Sequence, residues 1–259
     1  MESQRHFVLV HGACHGAWCW YKVATLLKSA GHQVTALDMA ASGVHPKRVD
    51  ELQSISDYFE PLMKFMESLL PEERVILVGH SMGGLSISVA MERFPEKISS
   101  AVFATAFMPG PDLSFTATRE EHGRRVGSIM DLQYMFDNGL NNPPTSGLIG
   151  PDCMSTQLYQ LSPTKDLTLA MLLLRPHPLF SDEATQEKVG VTKEKYGSIP
   201  RAYIVCDEDN IIKEDFQRWM IENNPPDEVM AVPGSDHMLM FSKPQETCSC
   251  LLEIAKKYF

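Results

Sequence analysis

Residues 79–83 read G-H-S-M-G. They follow the β-branched apolar run at 74–78 and precede a helix-compatible stretch at 85–94. In a strand–turn–helix setting, G-x-S-x-G holds its serine on a sharp turn with the hydroxyl exposed. A Cβ at Gly79 or Gly83 would collide with neighbouring backbone where strand and helix meet. The alternative is a glycine-rich turn whose serine only caps a helix. A serine hydroxyl needs a general base, and the base needs a carboxylate to orient it and to stabilise the imidazolium. In strand–turn–helix hydrolases the chain order is Ser, then Asp or Glu, then His. Here Ser81 is followed by Asp209, just beyond the apolar run 202–206, and by His237, just beyond 228–232. Asp207 and Glu208 lie close enough that spacing does not exclude them. Asp236 adjoins His237 too directly for an easy side-chain hydrogen bond. Asp38 ends a strand and is expected to order its own loop. Of the nine histidines, His32, His45, His122 and His177 read as structural or solvated.

An acyl-transfer intermediate carries an oxyanion, and backbone N–H groups aimed at it are worth roughly 3 kcal/mol each. One donor is expected from Met82, the residue after the nucleophile. The other is expected from Ala13 in the loop H-G-A-C-H-G-A-W (11–18), where Gly12 lets the backbone turn. A metal reading of His11, Cys14 and His15 needs both imidazoles on one helical face, and Gly12 and Gly16 argue for a loop instead.

The elements that must hold these groups alternate. Strands are expected at 6–11, 34–38, 74–78, 100–105, 202–206 and 228–232. Helices are expected at 20–30 (stopped by Gly31), 50–70, after Gly83, at 214–223 and at 244–258. Such alternation implies a parallel sheet of about six strands with helices on both faces, an α/β fold. Ligands bind at the carboxyl ends of such strands. The alternation breaks at 109–199, a stretch rich in Pro, Gly and Asn with helical pieces such as 166–174. A long irregular insertion late in the sheet reads as a helical cap over the site. The chain thus divides into a core of 1–108 with 200–259 and a cap of 109–199. Apolar residues set to line the pocket are Phe107, Leu132, Tyr134, Phe136, Leu158 and Phe180. Gly12, His80 and Met238 flank the catalytic candidates and join the substrate-contacting set.

Composition excludes other classes. The formal net charge of −10 over 259 residues repels phosphate backbones, so nucleic acid is not an expected partner. No apolar run approaches a membrane span. Residues 1–6 hold no apolar leader segment. The six cysteines are irregularly spaced and read as reduced thiols of a cytoplasmic protein.

Six stretches, at 6–18, 30–38, 75–84, 196–206, 215–221 and 234–238, together resemble the plant methylesterases, a group of α/β-hydrolases that includes methyl salicylate and polyneuridine aldehyde esterases and has hydroxynitrile lyases as relatives. The resemblance implies an α/β-hydrolase fold with a helical cap, a Ser81–Asp209–His237 triad, and cleavage of methyl esters of small plant acids of the salicylate, jasmonate, indole-acetate or alkaloid type. It implies no cofactor, and it suggests a homodimer. The related lyases carry Thr or Asn after the first-strand histidine, and one branch carries Lys after the catalytic histidine. Gly12 and Met238 at these positions favour esterase chemistry. Residues 138–145 and 224–229 resemble methylketone synthase, a decarboxylating relative without the serine nucleophile that this chain keeps. The rival readings are therefore a carbon–carbon lyase or β-keto acid decarboxylase in the same pocket, and a slow-turnover ligand-binding homologue.

Overall fold

The computed structural model describes residues 4–126 and 130–258. Residues 1–3, on which the reading of the N-terminal segment partly rests, lie outside the described residues. In chain order the elements begin with β1 (His6–Val10), α1 (Tyr21–Ser29), β2 (Gln33–Leu37), α2 (Ile55–Ser68), β3 (Val75–Ser81), α3 (Gly83–Arg93) and β4 (Ile98–Ala106). There follow α4 (Phe115–Val126), β5 (Gln133–Met135), β6 (Ser146–Leu148), α5 (Pro151–Cys153), α6 (Thr164–Leu173), β7 (His177–Pro178) and α7 (Asp182–Val189). The chain closes with β8 (Arg201–Cys206), α8 (Glu214–Asn223), β9 (Glu228–Val232), α9 (Leu239–Ser242) and α10 (Pro244–Lys257).

The main sheet has six strands in the order β2-β1-β3-β4-β8-β9. Every pairing in it is parallel. Side chains alternate between two apolar clusters, as the period-two geometry of a strand buried on both faces requires. Val8, Val10, Leu77, Phe103 and Tyr203 pack with α2, α3 and α8. Phe7, Leu9, Val78, Val102 and Ile204 pack with α1, α9 and α10 on the other face. Strand order reverses between β1 and β3. The loops leaving these two strands diverge to opposite sides and open a crevice at their carboxyl ends.

Local signals explain the helix limits. Gly31 takes φ +90°, and its N–H and that of His32 bond back to Lys28 and Leu27 carbonyls, a Schellman end to α1. The helix expected from residue 50 starts later, because Ser54 and Asp57 form a reciprocal capping box at its entry. Residues 49–51 make a separate 3₁₀ turn.

The segment between β4 and β8 is not purely helical as expected. Besides α4 to α7 it contains a three-stranded antiparallel sheet in the order β5-β6-β7. Strands of two or three residues are too short to show an alternating pattern in sequence. Among the described residues, no helix is long and apolar enough to cross a membrane.

The glycines of the β3–α3 turn are sterically required. A Cβ on Gly83 would lie 2.7 Å from the carbonyl oxygens of both Val10 and His11, and one on Gly79 would lie 2.8 Å from the Gly83 oxygen. These are rigid backbone atoms. Gly83→Ala is therefore expected to lower unfolding free energy by about 1–3 kcal/mol in urea titration. An unchanged midpoint would show that the turn has more room than these distances allow.

Candidate active site

Ser81 is the last residue of β3, and Met82 opens α3. The Ser81 backbone has φ +54°, a left-handed conformation unusual for a residue with a Cβ. The close strand–helix packing described above holds it there. Ser81 is 7% exposed.

The structure brings three distant residues into one line. His237 Nε2 lies 3.1 Å from Ser81 Oγ, and His237 Nδ1 lies 2.7 Å from Asp209 Oδ2. An ionised carboxylate only accepts, so Nδ1–H donates to Asp209 and Nε2 is left to accept from the serine hydroxyl. Asp209 is 3% exposed and receives three further donors. The N–H groups of Ile211 and Ile212 reach Oδ1 at 2.7 and 2.9 Å, and the Thr105 hydroxyl reaches Oδ2 at 2.5 Å. Thr105 was missed by sequence reasoning. Its signal is positional: a hydroxyl at the carboxyl end of β4, which lies between the serine strand and the acid strand.

The competing carboxylates have other partners. Asp207 accepts from the Gly234 N–H at 2.7 Å and braces the turn leading to His237. Asp236 accepts from the Met238 N–H at 3.0 Å and from residues 161 and 162. Asp38 orders its own loop by accepting from the N–H groups of Ala17 and Val44. His80 packs its ring 4.7 Å from that of His237, and its Nε2–H donates to the His237 carbonyl at 2.8 Å. It supports the histidine loop and does not line the cavity.

The loop after β1 folds over the serine. A Cβ on Gly12 would sit 2.7 Å from Ser81 Cβ. The Gly12 carbonyl is bound by His11 Nδ1 at 2.8 Å and by the His15 N–H at 3.4 Å. His11 Nε2 accepts from the Met39 N–H at 3.1 Å, so Nδ1 is the donor. In a trans peptide, C=O and N–H point in opposite directions. Pinning the Gly12 carbonyl therefore turns the Ala13 N–H the other way. The Met82 N–H, at the entry of α3, is one of the amides with no intrahelical acceptor. Both nitrogens of His11 and both of His15 are engaged, which removes the metal reading of this loop. Burial pushes the Cys14 thiol up to about 11, so it stays protonated.

An apolar cavity adjoins Met82. Ile55, Tyr58, Phe59, Leu85, His177, Pro178 and Phe180 line the rest of it. Of the expected pocket residues, Phe180 is there. Phe107 is buried elsewhere against Phe115 and Phe216, although its N–H donates to the Ser81 carbonyl at 3.1 Å. Leu158 and Met238 belong to the buried cluster around α9 and α10. Tyr134 is 51% exposed, and neither Leu132 nor Phe136 reaches the cavity wall. Ile55, Tyr58 and Phe59 were missed because α2 reads as an ordinary amphipathic core helix. His177 had no signal at all; β7 alone carries it to the wall.

An open parallel sheet with a strained serine at its switch point, facing a histidine–carboxylate pair, defines an α/β hydrolase. The chain belongs to that family: the model described as "Alpha/beta hydrolase family" matches residues 7–249. Within it the chain groups with the plant methylesterases. It is 63% identical over 258 residues to "Methyl jasmonate esterase 1" of Vitis vinifera, covering 99% of each chain. It is 47% identical to "Salicylic acid-binding protein 2" of Nicotiana tabacum, covering 100% of each. Among solved structures, tomato methylketone synthase I complexed with 2-tridecanone matches with a TM-score of 0.95 and 49% identity, covering 99% of this chain and 100% of that one.

Burial makes the site acid-sensitive. It lowers the pKa of His11, of His15 to about 3, and of His80 well below the usual imidazole value. His15 is therefore neutral in the folded protein at pH 5, and His11 and His80 are shifted in the same direction, whereas an imidazole in the unfolded chain takes a proton below about 6.5. The unfolded state then binds more protons, so stability falls as pH drops below about 6.5. Urea midpoints should decline from pH 7.5 to pH 5; an equal or higher midpoint at pH 5 would contradict this account.

Proposed function

We propose that this protein is a serine esterase that hydrolyses the methyl ester of a small plant carboxylic acid, with a jasmonate-type acid as the first candidate. The observation that carries the reading is the continuous hydrogen-bonded line from Ser81 through His237 to Asp209. The 63% identity to a protein named for methyl jasmonate hydrolysis supports the choice of acid.

In this reading Ser81 Oγ attacks the ester carbonyl while His237 Nε2 takes its proton. The N–H groups of Ala13 and Met82 hold the oxyanion, and Asp209 stabilises the imidazolium. His237 then gives the proton to methoxide, and methanol leaves. Water, activated by the same imidazole, releases the acid from the acyl-serine. The acyl group lies against the apolar wall beside Met82, and residues 109–199 serve as the cap over it. The buried, unpaired thiols of all six cysteines suit a reducing compartment, which supports the cytoplasm as the place of action.

The test is a panel in which acid release is followed for methyl jasmonate, methyl salicylate and methyl indole-acetate, benzaldehyde formation for mandelonitrile, and ketone formation for a β-keto acid. Methyl esters should be turned over, and Ser81→Ala should lower kcat by at least about 10³-fold without moving Tm. Turnover of only the nitrile or the keto acid, or full activity in Ser81→Ala, would reject the assignment.

A further inference from the structure

Residues 159–162 of the inserted segment touch three separate loops of the site at once. The Tyr159 hydroxyl lies 2.7 Å from His15 Nε2, and His15 Nδ1 lies 2.8 Å from the Ala13 carbonyl. A carbonyl only accepts, so Nδ1 carries the proton and Nε2 accepts from the phenol. Gln160 Nε2 donates to the Glu208 carbonyl at 2.6 Å, one residue before Asp209. The Leu161 N–H and the Ser162 hydroxyl donate to Asp236 Oδ2 at 3.0 and 2.8 Å, one residue before His237. The oxyanion loop, the acid loop and the histidine loop thus converge on one tetrapeptide.

We propose that residues 159–162 are a positioning clasp: docking of the inserted segment fixes the loop after β1, Asp209 and His237 in one step, with Tyr159 acting through His15 on the Ala13 carbonyl, in the peptide unit that follows the one carrying the Ala13 N–H.

The local chain geometry favours this role. The preceding turn is π-helical (Met154–Leu158), closed by the Tyr159 N–H on the Met154 carbonyl at 2.9 Å. Wide turns of this kind shift the register of the downstream chain by one residue. The shifted stretch is buried where it works: Tyr159 is 2% exposed, His15 1% and Asp236 0%. His15 and Tyr159 also stack, with ring centroids 5.9 Å apart at 13°. Among the described residues, Tyr159 is the one hydrogen-bond partner at His15 Nε2. Without the phenol, the buried Nε2 would lack a donor. The ring would then keep its Nδ1 proton on the Ala13 carbonyl but lose the bond that fixes its orientation, so the Ala13 carbonyl would be held less firmly.

This inference rests on the esterase reading, and its test separates the two. Tyr159→Phe keeps ring and volume and removes only the hydroxyl. It should lower kcat for the best panel ester about 10-fold, as expected for one lost hydrogen bond at the transition state. KM should stay within about 2-fold, and phosphonate labelling of Ser81 should slow in parallel. His15→Asn can still donate to the Ala13 carbonyl but cannot reach the phenol, so Tyr159→Phe added to it should cost nothing further. Ser162→Ala should show a smaller kcat loss, with Tm near that of the unaltered protein. Unchanged kcat in Tyr159→Phe, a kcat loss matched by an equal KM rise, or multiplying effects with His15→Asn would overturn the clasp. Should His15→Asn fail to fold, kcat and labelling rate of Tyr159→Phe decide alone. Failure of the esterase reading would appear instead as turnover surviving in Ser81→Ala.

Discussion

A carboxylate sealed from water must be surrounded by donors, and here that need organises the whole site. Asp209 takes two backbone N–H groups from its own loop, a hydroxyl from the end of β4 and the imidazole N–H of His237. These donors can meet only if β4, β8 and β9 are neighbours with their carboxyl ends aligned, which is how the sheet is ordered. A shift of one strand would leave a buried charge without partners, a fault costing several kcal/mol. The sheet and the constellation therefore constrain each other.

Most of this was legible because it rests on short-range rules. The runs at 74–78 and 202–206 are apolar on both faces, which only a covered parallel sheet explains. The glycines around Ser81 announced a close backbone approach, and the Val10, His11 and Gly83 carbonyls are what they approach. Chain order singled out His237, and the competing claim of Asp207 ended once it was seen bracing Gly234. What stayed hidden depends on contacts made by the inserted segment. The small antiparallel sheet is built from strands too short to leave a pattern. His177 reaches the cavity wall through that sheet, and Ile55, Tyr58 and Phe59 reach it from a helix whose periodicity speaks only of burial. Thr105 needed the spatial order of the strands, which sequence order does not state.

The inserted segment is fastened by more than the contacts near the triad. Asp166 of α6 is 1% exposed and joins Tyr21 and Lys22 of α1 at 3.0 and 2.5 Å. The Arg175 guanidinium donates to the carbonyls of Gly43, His45 and Lys47. Such charge-assisted bonds fix the edges of the segment. The Arg175 bonds lie two residues from His177, which lines the apolar cavity against α2.

The order of the parts along the chain bears on how the molecule comes into being. Ser81 ends the third strand, whereas Asp209 and His237 come after the last two strands of the sheet. Synthesis proceeds from the amino end, and a domain folds as a unit once its parts are present. Until β8 and β9 have paired, Ser81 of a growing chain has neither His237 nor Asp209 beside it.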